Sequence, residues 1–236
     1  MTWSIIARDP PTGQIGIAVA TRFFAVGALV PHIAPNVGGI ATQALVNPYY
    51  GIDGVRLLRE GRSAPDIVAT LVAADEGRDN RQLHVMDAAG RIAAHTGAQC
   101  VEWCGHIEGA GFSVAGNMLV GPQVLDETAR CYRAHQMLPF AQRLIAAMKA
   151  GEAAGGDKRG KQSAALLIHG PEDWPALDLR VDDHADPLAE LERLEQVSRE
   201  RWAHFRHFLP TRTNPAGITD RAIIDASVQA AIASQS

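Results

Sequence analysis

The feature that most constrains this chain is the pair of segments at its start. Trp3-Ser4-Ile5-Ile6-Ala7-Arg8 reads as a strand, Asp9-Pro10-Pro11-Thr12-Gly13 as a turn, and Gln14–Thr21 (QIGIAVAT) as the returning strand. In the return, Ile15, Ile17 and Val19 alternate with small residues. Successive side chains of a strand point to opposite faces, so this strand has one bulky face and one small face. The small face lets a second layer approach closely.

The pattern continues as hairpins and helices. Gly38–Leu45 reads as a third strand, Gln82–Asp87 with Arg91–Thr96 as a second hairpin, and Phe112–Leu119 as a further strand. Helices are expected near Ile52–Glu60 and over Ala64–Ala74, the latter with Ser63 as N-cap and Pro65 in its first turn. Two more follow at Gln123–His135 and Pro139–Ala150, then the last strands at Ser163–His169 and Leu177–Asp182. Pro187–Phe208 carries helical periodicity through Leu188, Leu191, Leu194 and Val197. Pro210–Pro215 separates it from a final amphipathic helix over Thr219–Ala233. Hairpin connections dominate early, so the sheets should be largely antiparallel, with helices outside them. The expected organisation is one domain over residues 1–205, with 206–236 as linker and C-terminal helix.

Composition narrows the class of partner. A chain of 236 residues with 47% hydrophobic and 20% charged residues can bury a full core. Its formal charge of −4 lacks the basic field that nucleic acid or an anionic membrane surface requires. No apolar run approaches the roughly 20 residues of a membrane helix. The start, Met1-Thr2-Trp3-Ser4, has no secretory signature, and three cysteines (Cys100, Cys104, Cys131) are an odd count for a disulfide framework. The expectation is a cytoplasmic protein with a small-molecule substrate, no nucleic-acid or membrane partner, and self-association as a homodimer or higher homo-oligomer. Cys100 and Cys104 have zinc-like spacing, but no second ligand pair of that kind follows.

Several blocks go further. They are Thr2–Pro10 (TWSIIARDP), Thr21–Ala28 (TRFFAVGA), Ala41–Ala44 (ATQA), Gly77–Gln82 (GRDNRQ), Gly116–Leu119 (GNML), Ala153–Ala165 (AAGGDKRGKQSAA) and Leu179–His184 (LRVDDH). In this order the chain resembles the family catalogued as domain of unknown function 1028, proteins similar to N-terminal-nucleophile (Ntn) hydrolases. The resemblance implies an α+β fold of four αββα layers, two mainly antiparallel sheets between helices. It names no reaction.

Ntn chemistry uses a Ser, Thr or Cys at the mature N-terminus, whose side chain attacks a carbonyl while its own α-amine takes the proton. An unperturbed α-amine titrates at about 7.7–8.0, so part of it is neutral near pH 7. Thr2 fits, provided Met1 is removed. The well-known relatives carry an acid in the second strand and a lysine in the third, and this chain has neither there; Thr21 and Arg22 are the polar groups at the end of strand two. Arg22 can hold a substrate carboxylate, anchor the Thr2 region or form a surface ion pair. Asn117 is the candidate oxyanion donor, and Gln43 and Asn47 are candidates for the same pocket or for strand-end amides.

Asp182, Asp183 and His184 form the richest polar run. They can contact substrate, ligate a metal, orient a base, or simply end a strand and cap a helix. Gly155–Gln162 lacks the phosphate-loop spacing and reads as a mobile loop at the site mouth, with Lys158 and Arg159 as anion contacts. The leading reading is an amidase-like hydrolase of a small C–N bond that needs no cofactor and no metal. The rivals are a non-catalytic binding or assembly protein on the same scaffold and a metal-dependent hydrolase.

Overall fold

The N-terminal hairpin forms as its alternation requires. In the computed structural model, which describes residues 2–233, β1 (Thr2–Arg8) pairs antiparallel with β2 (Ile15–Thr21), with Thr2 opposite Thr21. The turn closes through Asp9, whose N–H donates to Gln14 O at 2.8 Å and whose carbonyl accepts from Gly13 N at 2.8 Å.

Three further pairs of strands follow: β3 (Pro31–Ala34) and β4 (Gly38–Ala44); β5 (Arg81–Met86) and β6 (Ile92–Thr96); β7 (Gly105–Gly109) and β8 (Phe112–Asn117). The last strands are β9 (Ser163–His169) and β10 (Leu177–Val181). They form two antiparallel sheets, a six-stranded one ordered β10-β9-β2-β1-β8-β7 and a four-stranded one ordered β3-β4-β5-β6.

The α-helices among the described residues are seven: α1 (Pro48–Arg59), α2 (Ala64–Ala73), α3 (Gln123–Ala134), α4 (Phe140–Ala153), α5 (Pro187–Glu200), α6 (Trp202–Phe205) and α7 (Arg221–Ala233). Helices α1 and α2 pack on the smaller sheet through Tyr50, Leu57, Leu58, Ile67 and Leu71, against Ile40, Leu83 and Val85. Helices α3 and α4 pack together and on the larger sheet.

The bulky and small faces of β2 do separate work. Ile15, Ile17 and Val19 join Ile6, Ala41 and Met86 in a buried cluster that the two sheets share. Gly16 turns toward α4, so close that a Cβ there would sit 2.7 Å from Leu144 Cδ1 and 2.9 Å from Phe140 Cε1. Gly39 of β4 does the same between the sheets, where a Cβ would lie 3.3 Å from Ile15 Cγ2.

Some elements depart from the sequence reading. Helix α1 starts earlier than Ile52, because Asn47 caps it by accepting from Tyr49 N and Pro48 occupies the first turn. Strands β3 and β7 were not expected; β7 (GHIEG) offers a single apolar side chain between glycines. The helix expected over Pro187–Phe208 breaks at Arg201, with φ −138°. Helix α7 begins at Arg221, capped by Asp220 through Ala222 N. The chain divides into two compact units after Leu191. In the second, Arg201 pairs with Asp225 at 3.1 Å and Ile224 and Val228 are buried. Among the described residues no helix is long and apolar enough to cross a membrane.

Candidate functional site

Strand alternation puts Thr2, Ser4 and Ile6 on the face of β1 that meets the smaller sheet. Antiparallel register then brings Thr21 of β2 and Asn117 of β8 to either side of Thr2. Gln43 of β4 and Gln82 of β5, themselves paired, come from the facing sheet. The hairpin ends thus converge on a cluster of neutral polar side chains.

The cluster is closely bonded. Thr2 Oγ1 donates to Thr21 Oγ1 at 3.1 Å. Asn117 Nδ2 and Gln43 Nε2 each donate to the Thr2 carbonyl at 3.4 Å and to Gln82 Oε1, at 3.1 and 2.8 Å. Gln82 Nε2 in turn donates to Gly116 O, Gly105 O and Thr96 Oγ1 at 2.9, 3.0 and 2.9 Å. One layer deeper, Ser4 Oγ donates to Gln43 Oε1 at 2.7 Å and meets His84 Nε2 at 2.9 Å, while His84 Nδ1 meets Ser113 Oγ at 2.9 Å.

Ser4, Gln82, His84 and Ser113 are fully buried, and Asn117 and Gln43 nearly so. Burial, with a smaller contribution from His106, lowers the His84 pKa to about 3, so its ring is neutral at pH 7. The bonds named here join only hydroxyl, amide, imidazole and backbone groups.

Thr2, 7% exposed, forms part of the wall of a pocket of about 170 Å³ with Gln43, Phe23, Val26, Val30 and Leu45. The pocket is mostly apolar; among the described residues Thr2 and Gln43 are the polar side chains in its wall. Two of the amides are followed by a strained residue: Ala44, after Gln43, has φ 72° and Met118, after Asn117, has φ 52°. Non-glycine residues reach this left-handed region at a cost, and such strain gathers at sites the surroundings hold in place.

Four expected residues therefore come together: Thr2, Thr21, Gln43 and Asn117. The others lie elsewhere. Asn47 caps α1 and donates to Asp75 at 3.2 Å. The exposed Arg22 side chain reaches Lys161 O at 3.4 Å. Asp182 is gripped by Arg180 at 3.0 Å, Asp183 accepts from Gln162 at 3.0 Å, and His184 Nδ1 accepts from Asp186 N at 3.0 Å. Among the described residues no group of three or more His, Cys, Asp or Glu converges as a metal site.

The loop expected to be mobile is tied beside Thr21. Gln162 N donates to Thr21 O at 2.9 Å, and the buried Asp157 accepts from Arg22 N at 2.9 Å. Lys158 donates to Glu102 O at 2.8 Å, and Arg159 pairs with Asp157 at 3.2 Å.

Sequence reasoning missed Ser4, Gln82, His84, Ser113 and Asp157. For the first four the signal available was a polar residue every second position along strands otherwise buried on both faces.

A neutral hydroxyl and amide cluster, buried between two antiparallel sheets and opening at Thr2, defines the class of α+β protein. The chain belongs to the family of unknown function DUF1028, whose model matches residues 2–191. Among solved structures it is similar to protein SPO2555 from Silicibacter pomeroyi, of the same family, at 35% identity and TM-score 0.87, over 93% of this chain and 96% of that one. A comparison with Anbu, the ancestral beta-subunit from Yersinia bercovieri, gives 11% identity and TM-score 0.41, over 83% of this chain and 94% of that one. No curated protein matches the chain.

Proposed function

We propose that the protein is an Ntn-type hydrolase of a small amide or related C–N bond, built as four layers in the order helices, sheet, sheet, helices. The observation that carries this reading is the placement of Thr2. It is the first residue of the first strand, its hydroxyl is oriented by Thr21 at 3.1 Å, and it borders a pocket of about 170 Å³. The chemistry requires cleavage of the peptide bond before Thr2; Met1 lies outside the described residues.

In the proposed reaction Thr2 Oγ1 attacks the substrate carbonyl carbon and its proton passes to the Thr2 amine. The tetrahedral intermediate collapses, the C–N bond breaks, and the leaving nitrogen takes that proton. Water then hydrolyses the Thr2 ester. The amine is the base that this reading assigns. Asn117 and Gln43 hold the Thr2 carbonyl. Asn117 reaches an oxyanion only by exchanging its 3.4 Å bond to that oxygen. The apolar walls Val26, Val30 and Leu45 suit a small apolar acyl group.

A second reading, a non-catalytic small-molecule binding protein on this scaffold, is favoured by one observation: both N–H groups of Asn117 and of Gln43 already have protein acceptors. Screening short-chain acyl amides with the wild-type protein and Thr2→Ala separates the two. The hydrolase reading expects turnover that falls by roughly 10³-fold or more in Thr2→Ala with the fold intact. Full turnover in Thr2→Ala overturns it, and saturable binding of these amides without turnover in either protein supports the second reading.

A further inference from the structure

Strand β1 has a second end. Seven residues of extended chain separate Thr2 from Arg8 by about 20 Å, and beyond Arg8 lies a separate pocket of about 280 Å³. Its walls include Arg8 from β1, Arg133 from α3 and Arg143 from α4, with Asp9, Phe112 and Tyr132. Three guanidinium groups thus face a single carboxylate.

That carboxylate is already committed. Asp9 Oδ1 accepts from Arg143 Nη2 at 2.8 Å, and Asp9 Oδ2 accepts from Thr12 Oγ1 at 2.6 Å. Arg143 is 4% exposed, and its guanidinium carbon lies 4.6 Å from the Tyr132 ring centre and 5.3 Å from that of Phe140. Among the described residues its Nε has no hydrogen-bond partner. Arg133 sits over the Phe112 ring at 5.0 Å, and among the described residues no carboxylate pairs with it. Arg8 donates to a carbonyl, Ala88 O, at 2.7 Å, and so keeps its charge uncompensated there.

Asp9 neutralises Arg143, but the unmet Nε–H of that buried guanidinium and the positive charges of Arg8 and Arg133 beside it favour a further anion in the pocket. Cationic side chains stacked on aromatic rings recur where a planar oxyanion is recognised. We propose that this pocket binds a small organic oxyanion, with its charged group between Arg133 and Arg143 and its apolar part on Phe112 and Tyr132. The site is independent of Thr2 and of the hydrolase reading.

Calorimetric titration of the full chain with benzoate, and separately with inorganic phosphate, tests this. The expected result is saturable one-to-one binding of at least one probe. Arg133→Gln, at an exposed position, should weaken it by about tenfold or more. Arg130→Gln removes an arginine of the same helix that is paired with Glu127 and lies outside the pocket walls; it should change affinity less than about twofold. Thr2→Ala should leave binding unchanged. Benzoate alone or phosphate alone both support a site and tell which oxyanion it takes. Absence of saturable binding by either probe overturns it, as does equal weakening by Arg130→Gln or loss of binding in Thr2→Ala.

Discussion

Along β1 the space between the sheets changes character within a few residues. At Ile6 it is filled by Ile15, Ile17, Val19, Ala41 and Met86, which need only shape and area. From Ser4 to Thr2 it is filled by Gln43, Gln82, His84, Ser113 and Asn117, each held by hydrogen bonds. The apolar half joins the sheets and tolerates any well-fitting hydrocarbon. The polar half contributes less net stability for the same volume, since each buried amide first loses its water. It specifies one arrangement of donors and acceptors instead, and that arrangement ends on the Thr2 carbonyl.

The two halves should therefore fail differently. The largest effect is expected for Gln82→Leu. It strips the partners from Gln43 and Asn117 on one side and from Gly105, Gly116 and Thr96 on the other. Buried polar groups left unmet cost about 1–3 kcal/mol each, so a loss of roughly 4 kcal/mol or more is expected in urea unfolding. Ile17→Ala, in the apolar half, should cost about 3 kcal/mol from lost burial and the cavity it leaves. If Gln82→Leu instead costs less than about 1 kcal/mol, the polar half is not the closed network described.

Acid offers a gentler way to separate the halves. The fold holds His84 neutral with its pKa lowered to about 3, whereas an unfolded histidine takes a proton near 6.5. Below pH 6.5 the unfolded chain binds the extra proton first. Stability therefore falls as the pH drops from there toward 3, by up to about 1.4 kcal/mol per pH unit. Denaturation curves at pH 7 and pH 5 should show this slope in the wild type and a shallower one in His84→Gln. Equal slopes would remove His84 from the account.

The smallest effect concerns the strain at the rim. Ala44→Gly frees a residue at φ 72° from its Cβ penalty, so stability should rise by less than about 1 kcal/mol, or hold level against the entropy that glycine adds to the unfolded chain. A loss above about 1 kcal/mol in thermal unfolding would mean that the Ala44 methyl packs in a role beyond the backbone.

The same contrast explains what could be read before the fold was known. The apolar half was legible, because large and small residues alternating in Gln14–Thr21 dictate a hairpin with two unlike faces, and antiparallel sheets follow. Strand β7 was not, since one isoleucine between His106 and Glu108 gives no periodicity. In the polar half, Thr2, Thr21, Gln43 and Asn117 were legible as polar residues at strand ends. Ser4, Gln82, His84 and Ser113 were not, because a polar residue at alternate strand positions looks like a solvated face until a second sheet is seen to cover it. Asn47 sits apart from this cluster for a local reason: followed by Pro48 it caps a helix.

The proposed hydrolase needs Thr2 to be a nucleophile with a free amine. The most direct test is the intact mass of the protein isolated from its native host cells, before and after exposure to a small β-lactone, followed by peptide mapping. The account predicts a mass lacking Met1 and a single acyl adduct on Thr2 that Thr2→Ala abolishes. Met1 retained on every molecule, with no adduct at Thr2, would contradict it.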